Sequence, residues 1–394
     1  MPLDGIDLDP GRIGANIANA RKRAEPPLNQ KELADRVGVS RATLVSIESG
    51  QRPPSSTVLA AIADALKVRV RDIVALPVQD EAATIRFRNP LRGDESAEAA
   101  VNALIDFARR YAILEEQIGR RRVRTIPPLA LNDGDDVEHV AEDLATAERS
   151  RFNLGDGPLL DLRSVLENDV GMLIFGLPEL GKTKIAGLFT FAQDLPMVGF
   201  NVRQADPRRR RWTLAHEYAH YLTNRFDAEV TYEAGERRSR DPYEQLAERF
   251  AAHYLMPASG VTRRFAELIG GAKSATVAHV VMLANQFRVS FQAMCERLER
   301  LDRIPRNTYD YVMAQGFRPI EAELSLGIER KDEKLSSYPA RYIYLLSVLH
   351  RRGAVSEGDA AAYLQTDRLS AREALSTIEA DPFFPMDMSL EDLS

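Results

Sequence analysis

Two histidines and a glutamate with helical spacing form the most chemically informative motif of the chain. Within residues 211–223, His216 and His220 are separated by one helical turn, so both imidazoles project from one face of a helix and can hold one zinc ion. Glu217 follows His216, and its carboxylate can accept a proton from a nearby water molecule. The His-Glu-x-x-His pattern therefore predicts zinc-dependent hydrolysis, with Glu217 as the general base.

A third protein ligand is expected on the next helix, which the sequence predicts within residues 241–257. Glu244 and Glu248 lie one turn apart on this helix. We favour Glu244, because the segment between His220 and Glu244 is long enough for the second helix to return to the metal. Glu248 remains an alternative. His253 is a weaker one, because it is more simply explained as a residue on the helix face.

A stretch that matches a phosphate-binding loop precedes this motif. Residues 176–183 fit the pattern G-x-x-x-x-G-K-T letter for letter. Such a loop must open a helix, whereas residues 184–191 combine glycine with β-branched and aromatic residues in a strand-like pattern. We interpret 176–183 as a polar hairpin turn, without a bound nucleotide. With apolar runs at 170–175 and 197–202, the pattern predicts a small antiparallel sheet ahead of the catalytic helix.

The N-terminal part of the chain combines basic charge with two short helical patterns. Residues 10–71 carry 11 Lys and Arg against 5 Asp and Glu, whereas the whole chain has a net charge of −6. Asn29 has capping-box spacing to Glu32, Gly38 can end the first helix, and Ser40 can cap the second. Two helices joined by such a turn are the helix-turn-helix arrangement, and the charge favours nucleic acid as a partner.

This region resembles the lambda-repressor-like, or XRE, family of DNA-binding domains. The matching residues are Gln30, Leu33, Ala34, Gly38, Val39, Ser40, Leu44, Ile47, Glu48, Gly50, Pro53, Leu59, Ile62, Ala63 and Leu66. The resemblance implies that the helix beginning at Arg41 enters the major groove of a double-stranded DNA operator. Side chains of this helix would read bases, whereas Gln30 and Arg52 would contact phosphates. The residues expected at the interface are Gln30, Ser40, Arg41, Ala42, Thr43, Ser46 and Arg52.

Residues 168–260 resemble the ImmA/IrrE family of metallopeptidases. The matching residues are Arg211, Trp212, Thr213, Leu214, Ala215, His216, Glu217, Ala219, His220, Glu244, Ala247, Phe250, Ala251, Ala252, Leu255, Met256 and Pro257. The resemblance implies peptide hydrolysis with Glu244 as the third zinc ligand. The sequence departs from the family at Glu248, where Asn is usual, and at Trp212, where Phe is common. Family members act on DNA-binding repressors or occur fused to XRE domains, which matches this architecture.

Composition indicates a globular chain with several parts. It has 394 residues, no apolar run that could span a membrane, and a single cysteine, Cys295, which excludes an internal disulfide framework. The acidic N-terminus lacks a secretory pattern, so we expect a cytoplasmic protein without membrane association. We predict a helix-turn-helix domain over 1–76, a linker and long helix over 77–135, a zinc metallopeptidase domain over 136–304 and a helical C-terminal region over 305–394.

The predicted fold is mainly α, with an all-α N-terminal domain and an α+β zincin-like domain. The predicted function is a transcriptional regulator whose zinc-dependent endopeptidase cleaves a regulatory protein in response to stress. The substrate is either a separate repressor or the chain itself, cut in the linker at 77–94. The alternative is a transcription factor whose zincin-like domain senses a signal and cleaves nothing. A phosphate-binding-loop switch is a third and weaker class. The sequence leaves open the operator, the signal and whether the chain forms a homodimer.

Overall fold

The computed structural model describes most of the chain and divides it into two units, Met1–Ala83 and Thr84–Ser394. The described residues are 13, 14, 17, 18, 20, 21, 24, 28–66, 68, 70, 73, 86, 87, 95–118, 129–132, 134–192, 194–204, 206–224, 227–232, 241–328 and 336–379. The predicted linker at 77–94 therefore lies outside the described residues, except for Arg86 and Phe87.

Three short helices of the first unit have described bounds. They are α1 (Gln30–Val37), α2 (Arg41–Glu48) and α3 (Ser56–Leu66). The capping box between Asn29 and Glu32 begins α1, and Gly38 ends it in the left-handed conformation, with φ of 75°. The Ser40 hydroxyl caps α2 by accepting a hydrogen bond from a backbone N–H of its first turn. The predicted helix-turn-helix arrangement is thus confirmed.

The apolar sides of these helices share one small core. Its buried members include Leu33, Ala34, Leu44, Ile47, Leu59, Ile62, Ala63 and Leu66. Gly14 permits the closest approach, because a Cβ atom at this position would lie 2.2 Å from the carbonyl oxygen of Ile47. Any larger residue would push the chain away from the end of α2.

The second unit combines helices with a small sheet. Its helices are α4 (Glu95–Ile118), α5 (Val137–Arg151), α6 (Leu162–Ser164), α7 (Pro207–Thr223), α8 (Pro242–Leu255), α9 (Ala258–Ile269), α10 (Val277–Gln286), α11 (Phe291–Arg300), α12 (Thr308–Ala314), α13 (Pro319–Ser325), α14 (Ala340–Arg351), α15 (Glu357–Tyr363) and α16 (Arg368–Glu379). Its strands are β1 (Arg86–Phe87), β2 (Leu173–Leu177), β3 (Ile185–Ala192), β4 (Leu195–Asn201) and β5 (Asp227–Tyr232). Among the described helices, none is both long and apolar enough to cross a membrane.

The strands pair in a mixed sheet with the order β1-β5-β3-β4-β2. The predicted antiparallel pairing is found between β3 and β4 and between β3 and β5. It is wrong for β2, which runs parallel to β4, and β1 also runs parallel to β5. The reason is that β2 and β3, although consecutive in sequence, are not neighbours, because β4 inserts between them.

The segment that matches a phosphate-binding loop connects β2 to β3, which are separated in the sheet by β4. Pro178–Lys182 forms a 3₁₀ helix, so the predicted hairpin turn is wrong, since a hairpin joins neighbouring strands. Asn201 on β4 holds the connection by donating to the carbonyl oxygens of Leu180, at 2.8 Å, and Ile185, at 3.0 Å. A strand follows this segment, so it does not open a helix as a phosphate-binding loop must.

Helices cover the sheet on both faces. Alternate strand residues such as Ile174 and Phe189 belong to a core formed with α5 and α7 to α11. Leu173 and Leu188 belong to a second core formed with α4 and α14 to α16. The long helix before the sheet and the C-terminal helices therefore pack together on one face, and α7 lies on the other.

Candidate metal centre

Helix α7 positions the His-Glu-x-x-His residues between the sheet and α8. The Asp206 carboxylate begins the helix by accepting a hydrogen bond from the N–H of Arg208, and Pro207 occupies the first turn. The helix ends at Thr223, and most of its residues are buried. Because both sides of the helix are covered, its central side chains have fixed directions.

The imidazoles of His216 and His220 converge as their spacing predicts. Their Nε2 atoms are 3.1 Å apart, and the ring centroids are 4.9 Å apart. His220 is fully buried, and His216 retains 4% of its exposure. Both rings therefore offer Nε2 to the same small volume.

Glu244, in the first turn of α8, lies next to both imidazoles. Its Oε2 lies 3.4 Å from His216 Nε2, and its Oε1 lies 3.4 Å from His220 Nε2. For zinc–ligand distances of about 2.1 Å, tetrahedral geometry puts two ligand atoms about 3.4 Å apart. The two carboxylate–imidazole separations match this value, and the 3.1 Å between the two Nε2 atoms is slightly shorter, so His216, His220 and Glu244 lie close enough together to hold one ion.

The charge of the pocket also suits a cation. Burial disfavours the charged form of His216, but contacts with Glu244 and Glu248 and the charge of Glu217 outweigh it and raise the pKa of His216 to about 10. The carboxylates of Glu244, Glu248 and Glu217 around this ring would also favour a bound cation. Two imidazoles and one carboxylate form a donor set typical of zinc sites that keep one position open.

Asn224, directly after α7, orients the second histidine. Its Oδ1 lies 3.0 Å from His220 Nδ1 and accepts a hydrogen bond from the hydroxyl of Thr223 at 2.9 Å. With a proton on Nδ1, the ring directs its unprotonated Nε2 toward His216 and Glu244. Sequence analysis did not identify this residue, although a polar side chain one turn after the second histidine was a usable signal.

Glu217 lies against the sheet and is fully buried. Gly187 on β3 makes room for it, because a Cβ atom there would lie 3.1 Å from Glu217 Oε1 and 2.4 Å from Thr213 Cγ2. Alanine at Gly187 would therefore press on the helix that carries the histidines. This glycine was also missed, because only the pairing of β3 with α7 reveals its role.

Glu248 lies beside His216, but on the opposite side from Glu244. Its Oε2 is 3.5 Å from His216 Nδ1, whereas Glu244 approaches Nε2. The indole N–H of Trp212 donates a hydrogen bond to the same Oε2 at 3.1 Å. Trp212 on α7 and Glu248 on α8 are thus in contact.

Two tyrosines on α7 and α8, and the alternative ligand His253, make contacts away from the centre. The Tyr218 hydroxyl donates to Glu148, and burial together with that carboxylate raises the pKa of Tyr218. His253 Nε2 lies 2.9 Å from Glu138 Oε1. The Tyr243 hydroxyl accepts a hydrogen bond from a backbone N–H of the 129–132 segment at 3.4 Å.

In the first unit, the residues expected at DNA fall into two groups. Arg41, Ala42 and Arg52 are exposed, and Thr43 and Ser46 are partly exposed. The hydroxyls of Ser40 and Thr43 lie 2.8 Å apart and hydrogen-bond each other.

Gln30 belongs to the second group. Its Nε2 donates to Glu48 Oε2 at 2.8 Å, and Glu48 also pairs with Arg21 at 2.7 Å. The half-buried Gln30 side chain is therefore already held by Glu48 before any partner binds.

Comparisons with known proteins find a family match for the helix-turn-helix region and another for the region that holds the candidate metal centre. Residues 169–299 match the family model Peptidase_M78, described as an IrrE N-terminal-like domain, and residues 20–73 match the helix-turn-helix model HTH_3. No curated relative matches the chain. One matching solved structure is Bacillus thuringiensis PlcR in complex with the peptide PapR7 and DNA, at 11% identity over 93% of this chain and 94% of that chain, and its TM-score of 0.17 supports no structural argument. The chain thus carries a helix-turn-helix region and an IrrE N-terminal-like domain of the Peptidase_M78 family in one polypeptide.

Proposed function

We propose that the chain is a DNA-binding transcriptional regulator whose zinc-dependent endopeptidase cleaves a regulatory protein under stress. The observation that carries the proposal is the convergence of His216, His220 and Glu244 at separations of 3.1 and 3.4 Å, next to the buried carboxylate of Glu217. The helix-turn-helix region supports DNA as a partner. We retain as proposals the cytoplasmic location, the protein substrate, the homodimer and the four-part division at residues 76, 135 and 304.

Each residue of the candidate metal centre has a different proposed role in hydrolysis. His216, His220 and Glu244 would hold zinc, which when bound supplies a Lewis acid that polarises the scissile carbonyl and the attacking water. Glu217 accepts the proton of that water and passes it to the leaving amine nitrogen. The Asn224 amide oxygen accepts a hydrogen bond from a proton-bearing Nδ1 of His220, which favours the tautomer with an unprotonated Nε2 and fixes the direction of the ring.

In the helix-turn-helix region, the exposed residues at the start of α2 are proposed to contact DNA bases. Arg41 can pair with guanine, and Ala42 or the methyl group of Thr43 can contact thymine. Gln30 retains one amide N–H for a phosphate, since its bond to Glu48 uses the other.

Arg41 and Arg52 are expected to affect DNA binding differently. Arg41→Ala should relax sequence preference, because Arg41 begins the helix proposed to enter the groove, and the loss should be about 1–3 kcal/mol on the selected operator. Arg52→Ala should weaken binding to all sequences and reduce its salt dependence. Binding to operator and unrelated DNA at several salt concentrations separates the two. Equal, sequence-independent losses from both variants would contradict this docking.

Loss of one histidine ligand tests the proposed function directly. Wild type should contain about one zinc per chain, because the donor set suits an open zinc site. His216→Ala should carry zinc only at background level, and the protein fragments that wild type produces under stress should disappear. Elemental analysis and mass spectrometry of new N-termini measure both results. Equal zinc content in the two proteins would refute the metal centre.

A further inference from the structure

The carboxylate of Glu248 occupies the side of His216 that faces away from the centre. His216 presents Nε2 to Glu244 at 3.4 Å and Nδ1 to Glu248 at 3.5 Å, so the ring lies between two carboxylates. Only one of them, Glu244, also reaches His220. The two glutamates therefore cannot be equivalent, and Glu248 acts on the ring from outside.

A carboxylate at Nδ1 has two physical effects on an imidazole. At 3.5 Å the contact acts through charge, since Nδ1 forms no hydrogen bond there, and it favours the tautomer with its proton on Nδ1, which leaves the Nε2 lone pair for a metal. It also makes the ring a more basic ligand, because negative charge at one nitrogen raises electron density at the other. Both effects require the carboxylate to stay near the ring.

Trp212 supplies that restraint. The Glu248 side chain is 59% exposed, so by itself it would be free to turn toward water. Trp212 lies one turn before His216 on α7, and its indole N–H donates to Glu248 Oε2 at 3.1 Å. One oxygen atom of Glu248 thus links Trp212 to His216.

We propose that Glu248 is a positioning residue for His216, and that Trp212 holds its carboxylate at Nδ1. The inference rests on the proposed function, because it assigns Glu248 a role in binding the zinc of that site. It predicts that Trp212 contributes to zinc affinity only through Glu248.

The test is a double-substitution cycle in which zinc affinity is the readout. The zinc dissociation constant of the full chain is measured by competition with a chelator for wild type, Glu248→Gln, Trp212→Phe and the double variant. Glu248→Gln should weaken zinc binding about 10- to 100-fold, as loss of an outer-shell partner does. Trp212→Phe should give a smaller loss, and in the Glu248→Gln background it should have no further effect.

The matched control is Glu116→Gln, the same change at an exposed glutamate of α4, on the other face of the sheet. It should bind zinc as wild type does. Unchanged zinc affinity in Glu248→Gln, or independent losses that multiply in the double variant, would overturn the inference while leaving the zinc centre intact. A wild-type protein that binds no zinc would instead overturn the proposed function.

Discussion

Glu217→Gln is expected to lower peptide hydrolysis by about 10²- to 10⁴-fold, the usual contribution of a general base. Gln has nearly the same shape as Glu but cannot accept the proton of the attacking water. Zinc should remain bound, because the ligand atoms belong to His216, His220 and Glu244. The measurement compares zinc content and protein-fragment profile in wild type and variant. Glu116→Gln serves again as the control and should match wild type.

The same variant separates two substrates. If the chain cuts itself in the linker at 77–94, wild type should release an N-terminal fragment ending there, and Glu217→Gln should stay intact and keep its promoter repressed. If the substrate is a separate protein, as we favour, the regulator stays intact in both and another protein accumulates in the variant.

A third outcome would change the proposal. A variant that retains zinc and matches wild type in transcription and in fragment profile under every stress tested would contradict hydrolysis. The Peptidase_M78 region would then be a sensor that cleaves nothing.

Local sequence rules were sufficient for the elements but not for their pairing. The caps at Asn29 and Ser40 predicted where α1 and α2 begin, because capping depends on residues within one turn. The His216–His220 spacing likewise predicted the convergence of two imidazoles. Strand order is a long-range property, so the placement of β4 between β2 and β3 could not be read from the sequence.

The sequence did not reveal the roles of residues whose importance depends on a contact with another helix or strand, because such contacts are also long-range. Gly187 acquires its importance only where β3 packs on Glu217, and Trp212 only where α7 meets Glu248 on α8. The choice between Glu244 and Glu248 also depended on α8, because the rotation of this helix about its axis decides which carboxylate faces Nε2. Spacing alone left both open, since they lie one turn apart.

Glu48→Gln is expected to destabilise the helix-turn-helix unit by about 3–5 kcal/mol, because removing one member of a buried ion pair leaves the other charge uncompensated. Arg21 donates to the Glu48 carboxylate through Nε at 2.7 Å and through Nη2 at 3.0 Å. The side chains of Arg21 and Glu48 are only 10% and 6% exposed. Gln30 on α1 donates to the same carboxylate. Glu48, at the end of α2, therefore links α2 to α1 and to Arg21.

A loss of this size is large for so small a unit, since stabilities of about 0.05–0.15 kcal/mol per residue are usual. Amide hydrogen exchange of the full-length chain should therefore show faster exchange across α1 to α3, with residues 241–300 unchanged. Affinity for operator and for unrelated DNA should fall together, because the unit itself opens. Glu32→Gln is the matched control, because it makes the same change in the capping box of α1, where glutamine also accepts the N-cap hydrogen bond. Wild-type exchange rates and DNA affinity in Glu48→Gln would mean that the ion pair does not hold the unit together.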